Sequence, residues 1–186
     1  FSEEDKVDSP VSIYAATKKS NELFANVYSK LYGLPTTGLR FFTVYGPWGR
    51  PDMAPMLFSD AICSGTPIKV FNNGNLSRDF TYIDDIVKGV IKVLNRQPKG
   101  EVPADLFNIG CGHPTQLDTF IEILEQTLGK KAKKKMMPMQ LGDVYTTFAD
   151  TLKLQQEVLY KPEVQLEKGI ANFAKWYIEY NKNNNG

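Results

Sequence analysis

The feature that most restricts how this chain can fold is a change of hydrophobic period between residues 11 and 44. From about Val11 to Lys30, the apolar residues Ile13, Ala16, Leu23, Phe24, Val27 and Leu31 recur at three- and four-residue steps, the spacing of one buried helical stripe. Ser9 and Pro10 are suited to open that helix, and Tyr32-Gly33 to close it. The period then changes. Thr36 to Val44 is a β-branched and aromatic run, ended by the turn residues of Tyr45-Gly46-Pro47-Trp48-Gly49-Arg50-Pro51, so a strand follows the helix. A helix feeding a strand at this distance predicts an α/β unit.

The alternation continues. A helix near Ala54 to Ser64 and a strand Ile68-Lys69-Val70-Phe71, closed by Asn72-Asn73-Gly74-Asn75, form a stretch of different texture that reads as an insertion. Phe80 to Ile83 is a short strand. It leads into a helix with Asp84 and Asp85 at its positive end and an apolar stripe of Ile86, Val87, Val90, Val93 and Leu94. Leu106 to Gly110 reads as a buried strand, and helices are expected at about 117–128, 151–159 and 163–180, before an NKNNNG tail with the composition of a disordered end. No internal repeat is present.

With 186 residues, 42% of them hydrophobic and 23% charged, the composition is that of a soluble globular protein. A net charge of +1 sets up no field for nucleic acid or a membrane surface, and no apolar run approaches the roughly 20 residues that span a bilayer. Cys63, Cys111 and the single histidine, His113, show no metal-ligand spacing, so no metal is expected and a reduced, cytoplasmic setting is the default. The opening FSEEDKVDSP is neither an initiator methionine nor a signal peptide, which leads to the expectation of a fragment or processed product. His113-Pro114 reads as a turn. The lysines at 130, 131 and 133–135 read as a solvated loop and strand face, and the cysteines as small hydrophobes rather than nucleophiles.

Tyr14 and Lys18 stand at i and i+4, on one helix face, where a phenol and an ammonium can share a ligand. A nearby cation favours the phenolate and so suits a tyrosine that moves protons. With nine tyrosines and eighteen lysines, about one such spacing arises by chance, so the pair decides nothing alone. Arg50 and Arg78, two of only four arginines, sit in turn-rich loops, where a guanidinium can grip phosphate or carboxylate in bidentate fashion. Pairing to a local acid, Asp52 or Asp79, is the competing reading of both.

The ordered series SPVSIYAATKKSNE, LRFFTVYGPWGRPDMAP, RDFTYIDD, NIG and GDVYTTFAD resembles the extended short-chain dehydrogenase/reductase family of NAD-dependent epimerases and dehydratases across essentially the whole chain. Within it, GPWGRPDMA is similar to the UDP-glucuronate 4-epimerases. The resemblance implies an α/β fold: the C-terminal remnant of a doubly wound Rossmann-type parallel sheet (residues 1–46 and 79–111) interleaved with a smaller α/β substrate domain (47–78 and 112–186). It implies NAD as cofactor and a UDP-sugar as substrate. Tyr14 would be the catalytic base and Lys18 its helper, both also touching the cofactor. Phe41, Phe42 and Val44 match the strand end placed beside the nicotinamide, against the plainer reading of core strand residues. Arg78 and Thr43 would meet the diphosphate side, Arg50 the C6 carboxylate, and Lys69, Phe71 and Met56 the uracil pocket. Gln140 and Asp143 fall in a late loop that closes over the nucleotide; many relatives have arginine where Gln140 stands, and often proline where Leu141 stands, a difference expected to alter only loop stiffness.

The family's serine or threonine and its Gly-rich pyrophosphate loop match nothing in this chain, so the chain alone is expected to be inactive. The implied reaction is 4-epimerisation of UDP-glucuronate to UDP-galacturonate through a 4-keto sugar. Alternatives are a decarboxylase or 4,6-dehydratase of the same family, a non-catalytic nucleotide-sugar-binding piece, and a structural dimer piece. The resemblance also implies a homodimer through the Tyr14 helix, and association with the missing N-terminal half is a further expectation.

Overall fold

A computed structural model of the chain describes residues 1–140 and 143–184; Leu141, with its expected loop effect, and the last two residues of the tail lie outside them. In chain order the elements are α1 (Ile13–Tyr32), β1 (Thr36–Phe41), β2 (Thr43–Tyr45), α2 (Ala54–Ser64), β3 (Pro67–Val70), a 3-10 turn (Phe71–Gly74), β4 (Ser77–Tyr82), α3 (Ile83–Leu94), β5 (Ala104–Ile109), β6 (Pro114–Gln116), α4 (Leu117–Leu128), β7 (Lys133–Met136), α5 (Leu152–Val158) and α6 (Leu166–Asn184). The fold is α/β, with three parallel strand pairs.

Helix α1 starts later than Ser9-Pro10 suggested. The cap is Ser12, whose hydroxyl accepts from the Ala15 N–H at 3.1 Å, and Gly33 ends the helix in the left-handed region at φ 61°, as its lack of a side chain permits. The expected burial of the apolar stripe is wrong. Ile13, Leu23, Phe24, Val27 and Leu31 are all exposed, because the buried or half-buried side of α1 carries Ala15, Ala16, Ser20, Glu22, Ala25 and Ser29 instead. Polar contacts fix that side. Ser29 is fully buried, donates to the Leu34 carbonyl at 2.7 Å and meets the Thr36 hydroxyl at 2.7 Å; the Arg40 guanidinium grips Glu22 through two bonds of 2.7 and 2.9 Å.

The single strand expected over 36–44 is two. Strand β1 pairs in parallel with β5, Thr36 opposite Ala104 through Phe41 opposite Ile109. At Phe42, whose N–H still bonds the Ile109 carbonyl at 3.1 Å, the chain leaves this pair. Strand β2 then joins β4 in parallel, with β6 antiparallel on the far side of β4. Strand β6 begins at Pro114, where the sequence suggested only a turn; proline is tolerated as the first residue of a strand. Strands β3 and β7 form a separate parallel pair.

Two apolar clusters result. The larger joins Tyr45, Met56, Phe58, Phe80, Phe120, Leu124, Phe173 and Tyr177 among others, with the Phe80 and Phe120 rings stacked at 4.3 Å; each such side chain contributes about 2 kcal/mol by burial. The smaller holds Ile86, Val93, Phe107, Ile109, Leu154 and Tyr160. Only Ile86 and Val93 of the α3 stripe are buried, whereas Val87, Val90 and Leu94 are exposed, so the expected stripe is half right. The tail is also corrected. Residues 181–184 continue α6, with the Asn181 side chain donating to the Tyr177 carbonyl at 3.1 Å and the Tyr177 hydroxyl anchored on Asp60 at 2.6 Å.

Candidate functional site

Tyr14 and Lys18 lie on one exposed face near the start of α1, with the Lys18 ammonium 5.4 Å from the centre of the Tyr14 ring. Together with Arg40 and Phe41 they line a hollow of about 750 Å³. The hollow runs along β1 from Thr36 to Phe41 and beside Ala104 to Leu106 of β5; Phe41, the last residue of β1, marks the end at which doubly wound sheets take their ligands. The alternation of a strand sends Phe42 elsewhere: its ring is 6.3 Å from that of Phe1. Val44 packs against the smaller apolar cluster, and Thr43 opens β2, half-buried.

Arg50 follows the turn Gly46-Pro47-Trp48-Gly49, closed by the Gly49 N–H on the Gly46 carbonyl at 3.3 Å. Its guanidinium holds Asp52 by two bonds of 3.0 and 2.5 Å, and both side chains are exposed. Arg50 keeps the Asp52 carboxyl below the usual carboxylate range. Asp52 in turn raises the guanidinium pKa, with a smaller contribution from Tyr14.

A second group forms around Arg78. It donates to Asp143 at 2.6 Å, and to the carbonyls of Ser77 at 2.8 Å and Tyr145 at 3.3 Å. Its acid partner is therefore neither Asp52 nor Asp79. The Asp143 N–H bonds the Gln140 carbonyl at 3.2 Å, so Arg78, Asp143 and Gln140 converge although 65 residues separate the first two. Met56 is in the larger core and Phe71 packs against it. Lys69 is exposed on β3, opposite Lys135.

Two acids have structural roles that the sequence did not indicate. Asp79 is fully buried. Its oxygens accept from the Thr81 hydroxyl and the Cys111 N–H at 2.9 and 2.8 Å, and from the Gly112 and Ala149 N–H groups at 2.9 Å each. A side chain at Gly110 would come within 2.8 Å of the Asp79 carboxylate, which accounts for the glycine of NIG. Asp85 is also buried and accepts from the Glu163 and Val164 N–H groups at 2.9 and 2.8 Å. The motif RDFTYIDD contains both acids, but their partners are distant in sequence. Burial, then Asp79, pushes the Cys111 thiol up to about 12, which suits packing and not nucleophilic attack. Among the described residues no three His, Cys, Asp or Glu side chains converge to hold a metal, and no helix is long and apolar enough to cross a membrane.

Comparison with known proteins adds the following. Residues 1–110 match the model of the NAD-dependent epimerase/dehydratase family. A probable UDP-glucuronate 4-epimerase from Rhizobium meliloti is 46% identical over 95% of this chain and 56% of its own length. The crystal structure of UDP-glucuronic acid 4-epimerase from Bacillus cereus, in complex with UDP-glucuronic acid and NAD, superposes with a TM-score of 0.87 at 34% identity, over 95% of this chain and 56% of that one. A dTDP-glucose 4,6-dehydratase from Streptomyces venezuelae with NAD bound gives a TM-score of 0.87 at 26% identity, over 98% and 55%. The chain thus spans little more than half the length of these relatives.

Proposed function

Because the chain belongs to the NAD-dependent epimerase/dehydratase family, we propose that it is the Tyr14-bearing, substrate-side portion of a UDP-glucuronate 4-epimerase, forming UDP-galacturonate. The observation that carries this reading is the placing of Tyr14 and Lys18 together on one exposed helix face, in the hollow that also holds Phe41 at the end of β1. In this proposal residues 1–46 and 79–111 complete the dinucleotide-binding domain, and 47–78 and 112–186 form the substrate domain. Leu154 and Tyr160 lend their packing to the former.

One end of NAD fits the residues present. The exposed phenol and ammonium of Tyr14 and Lys18 suit its ribose hydroxyls, and the uncovered Phe41 ring suits a flat heterocycle. Phe42 and Val44 would support that strand end from behind. When bound, NAD supplies a reversible hydride acceptor for C4 of the sugar. Tyr14 takes the proton from the 4-hydroxyl oxygen and returns it, so it is base in one direction and acid in the other. Lys18, one helical turn on, offers its ammonium as a hydrogen-bond donor to the same ligand. Arg78 and Thr43 hold the diphosphate, for which Asp143 would have to give way. Lys69, Phe71 and Met56 frame the uracil, and Gln140 and Asp143 close the loop over it.

The 4-keto product of glucuronate is a β-keto acid, which loses carbon dioxide once its carboxylate bond aligns with the carbonyl π system. An epimerase must prevent that alignment. Arg50, already holding a carboxylate in Asp52, would exchange it for the C6 carboxylate and fix an unproductive rotation, since orientation alone controls barriers of several kcal/mol. The similarity to a 4,6-dehydratase sustains a second reading, a decarboxylase or dehydratase using the same Tyr14 and Lys18. Two free cysteines accord with a cytoplasmic enzyme, and the apolar face of α1 with a homodimer.

Product analysis decides among these. The enzyme containing this chain is incubated with NAD and, in separate reactions, with UDP-glucuronate or UDP-glucose, and the nucleotide sugars are separated. UDP-galacturonate without carbon dioxide is expected; a UDP-pentose with carbon dioxide would make it a decarboxylase, and turnover of UDP-glucose to a 4-keto-6-deoxy sugar a dehydratase. Binding of UDP-sugar without any product would leave a non-catalytic piece.

A further inference from the structure

Trp48 has the backbone of a glycine. It occupies the third position of the Gly46-Pro47-Trp48-Gly49 turn at φ 62°, where a type II turn calls for glycine or asparagine, and the residue is 78% exposed. A bulky residue persists there only when surrounding structure over-determines it. Here α6 supplies that structure. The Trp48 ring lies 5.5 Å from Trp176 and 5.7 Å from Tyr180; Trp176 and Tyr180 are themselves stacked at 5.2 Å. Trp176 also packs 6.0 Å from Phe173, which is fully buried in the larger core. The loop is therefore tied through three rings to the interior.

Arg50 stands two residues beyond this anchor. Its carbonyl accepts the Met53 N–H at 3.2 Å, and the Met53 carbonyl accepts from Leu57 at 3.0 Å to open α2. The six-residue span from Trp48 to Met53 is thus fixed at both ends. We propose that Trp48 and Trp176 are positioning residues for Arg50, setting the direction from which its guanidinium meets a C6 carboxylate and so the preference for a uronic acid over a neutral hexose; this rests on the reading of Arg50 as the carboxylate grip. Neither ring needs to touch the substrate.

The test uses the enzyme containing this chain, with Trp48→Gly, Trp176→Ala, Trp176→Phe and Arg50→Ala. Trp48→Gly relieves the positive φ and removes an exposed ring, so it folds even where Trp176→Ala does not. The measurements are kcat and KM for UDP-glucuronate, the affinity for UDP alone, carbon dioxide release, and hydrogen exchange over residues 46–57. Trp48→Gly and Trp176→Ala are expected to lower kcat/KM about tenfold, to raise carbon dioxide release and loop exchange, and to leave UDP affinity within about twofold; Trp176→Phe restores most of the loss. The proposal is overturned if both variants keep kcat/KM within about twofold, or lose UDP affinity in equal measure as a general loss of packing would cause. Unchanged loop exchange in Trp176→Ala with an impaired Arg50→Ala refutes the positioning role alone. If Arg50→Ala is itself neutral while Trp176→Ala loosens the loop, the carboxylate reading has failed and the proposal falls with it.

Discussion

Asp79 shows how much a single buried carboxylate organises. Four donors from β4, the turn after β5 and the segment around Ala149 end on its two oxygens, so an amide cannot replace it in either orientation without setting its own NH2 against at least one backbone N–H group. Asp79→Asn is expected to cost about 3 kcal/mol or more in chemical denaturation; a cost within 0.5 kcal/mol of zero, on the order of a surface change, would mean the network adapts. Cys111, bonded to the same carboxylate through its N–H, gives a pH signature. Its thiol rises from 9.0 to about 12 on folding, so the folded state holds a proton that the unfolded chain releases. The resulting stabilisation is complete below pH 9 and is lost as pH rises towards 12. From pH 9 to 10 Cys111→Ala should therefore lose about 1 kcal/mol less stability than the parent chain; equal slopes would contradict the shift.

At the scale of elements, α1 is the instructive case. It is amphipathic, yet it is fixed to β1 by Ser29 and by the Glu22–Arg40 pair, while its large apolar residues face out. Arg40 holds the Glu22 carboxyl below its usual range, so the pair's contribution is present above that range and vanishes as pH falls through the lowered value. Arg40→Gln is expected to cost about 1–2 kcal/mol at pH 7 and progressively less in acid, with faster amide exchange along α1 as the local readout. Period and turn chemistry made the helices and most strand positions legible, because both are properties of neighbouring residues. What covers an apolar stripe is not such a property, and hence the burial of α1 was misread. The break at Phe42 was hidden inside an unbroken β-forming run. The Tyr14–Lys18 pair was legible from its helical spacing. Asp143 lies 65 residues from Arg78, and the backbone donors to Asp79 lie 32 to 70 residues from it, and no local pattern records them; the ring contacts likewise join Trp48 to a helix that starts more than a hundred positions later.

For the molecule as a whole, the exposed apolar face of α1 and the edge of β1 that β5 leaves unpaired among the described residues are surfaces that water does not favour. The 186-residue chain alone is accordingly expected to self-associate in sedimentation velocity, and Leu23→Glu with Leu31→Glu to shift it towards monomer; a monodisperse parent monomer would show that the face is tolerated bare. The account as a whole depends on Tyr14 as the group that moves the 4-hydroxyl proton. Its most direct test joins this chain behind the N-terminal part of the Rhizobium relative and compares UDP-galacturonate formation by the parent with that by Tyr14→Phe. The account predicts turnover by the parent and a loss of at least about a hundredfold in kcat, with UDP still bound; turnover by Tyr14→Phe within a few-fold of the parent would contradict it.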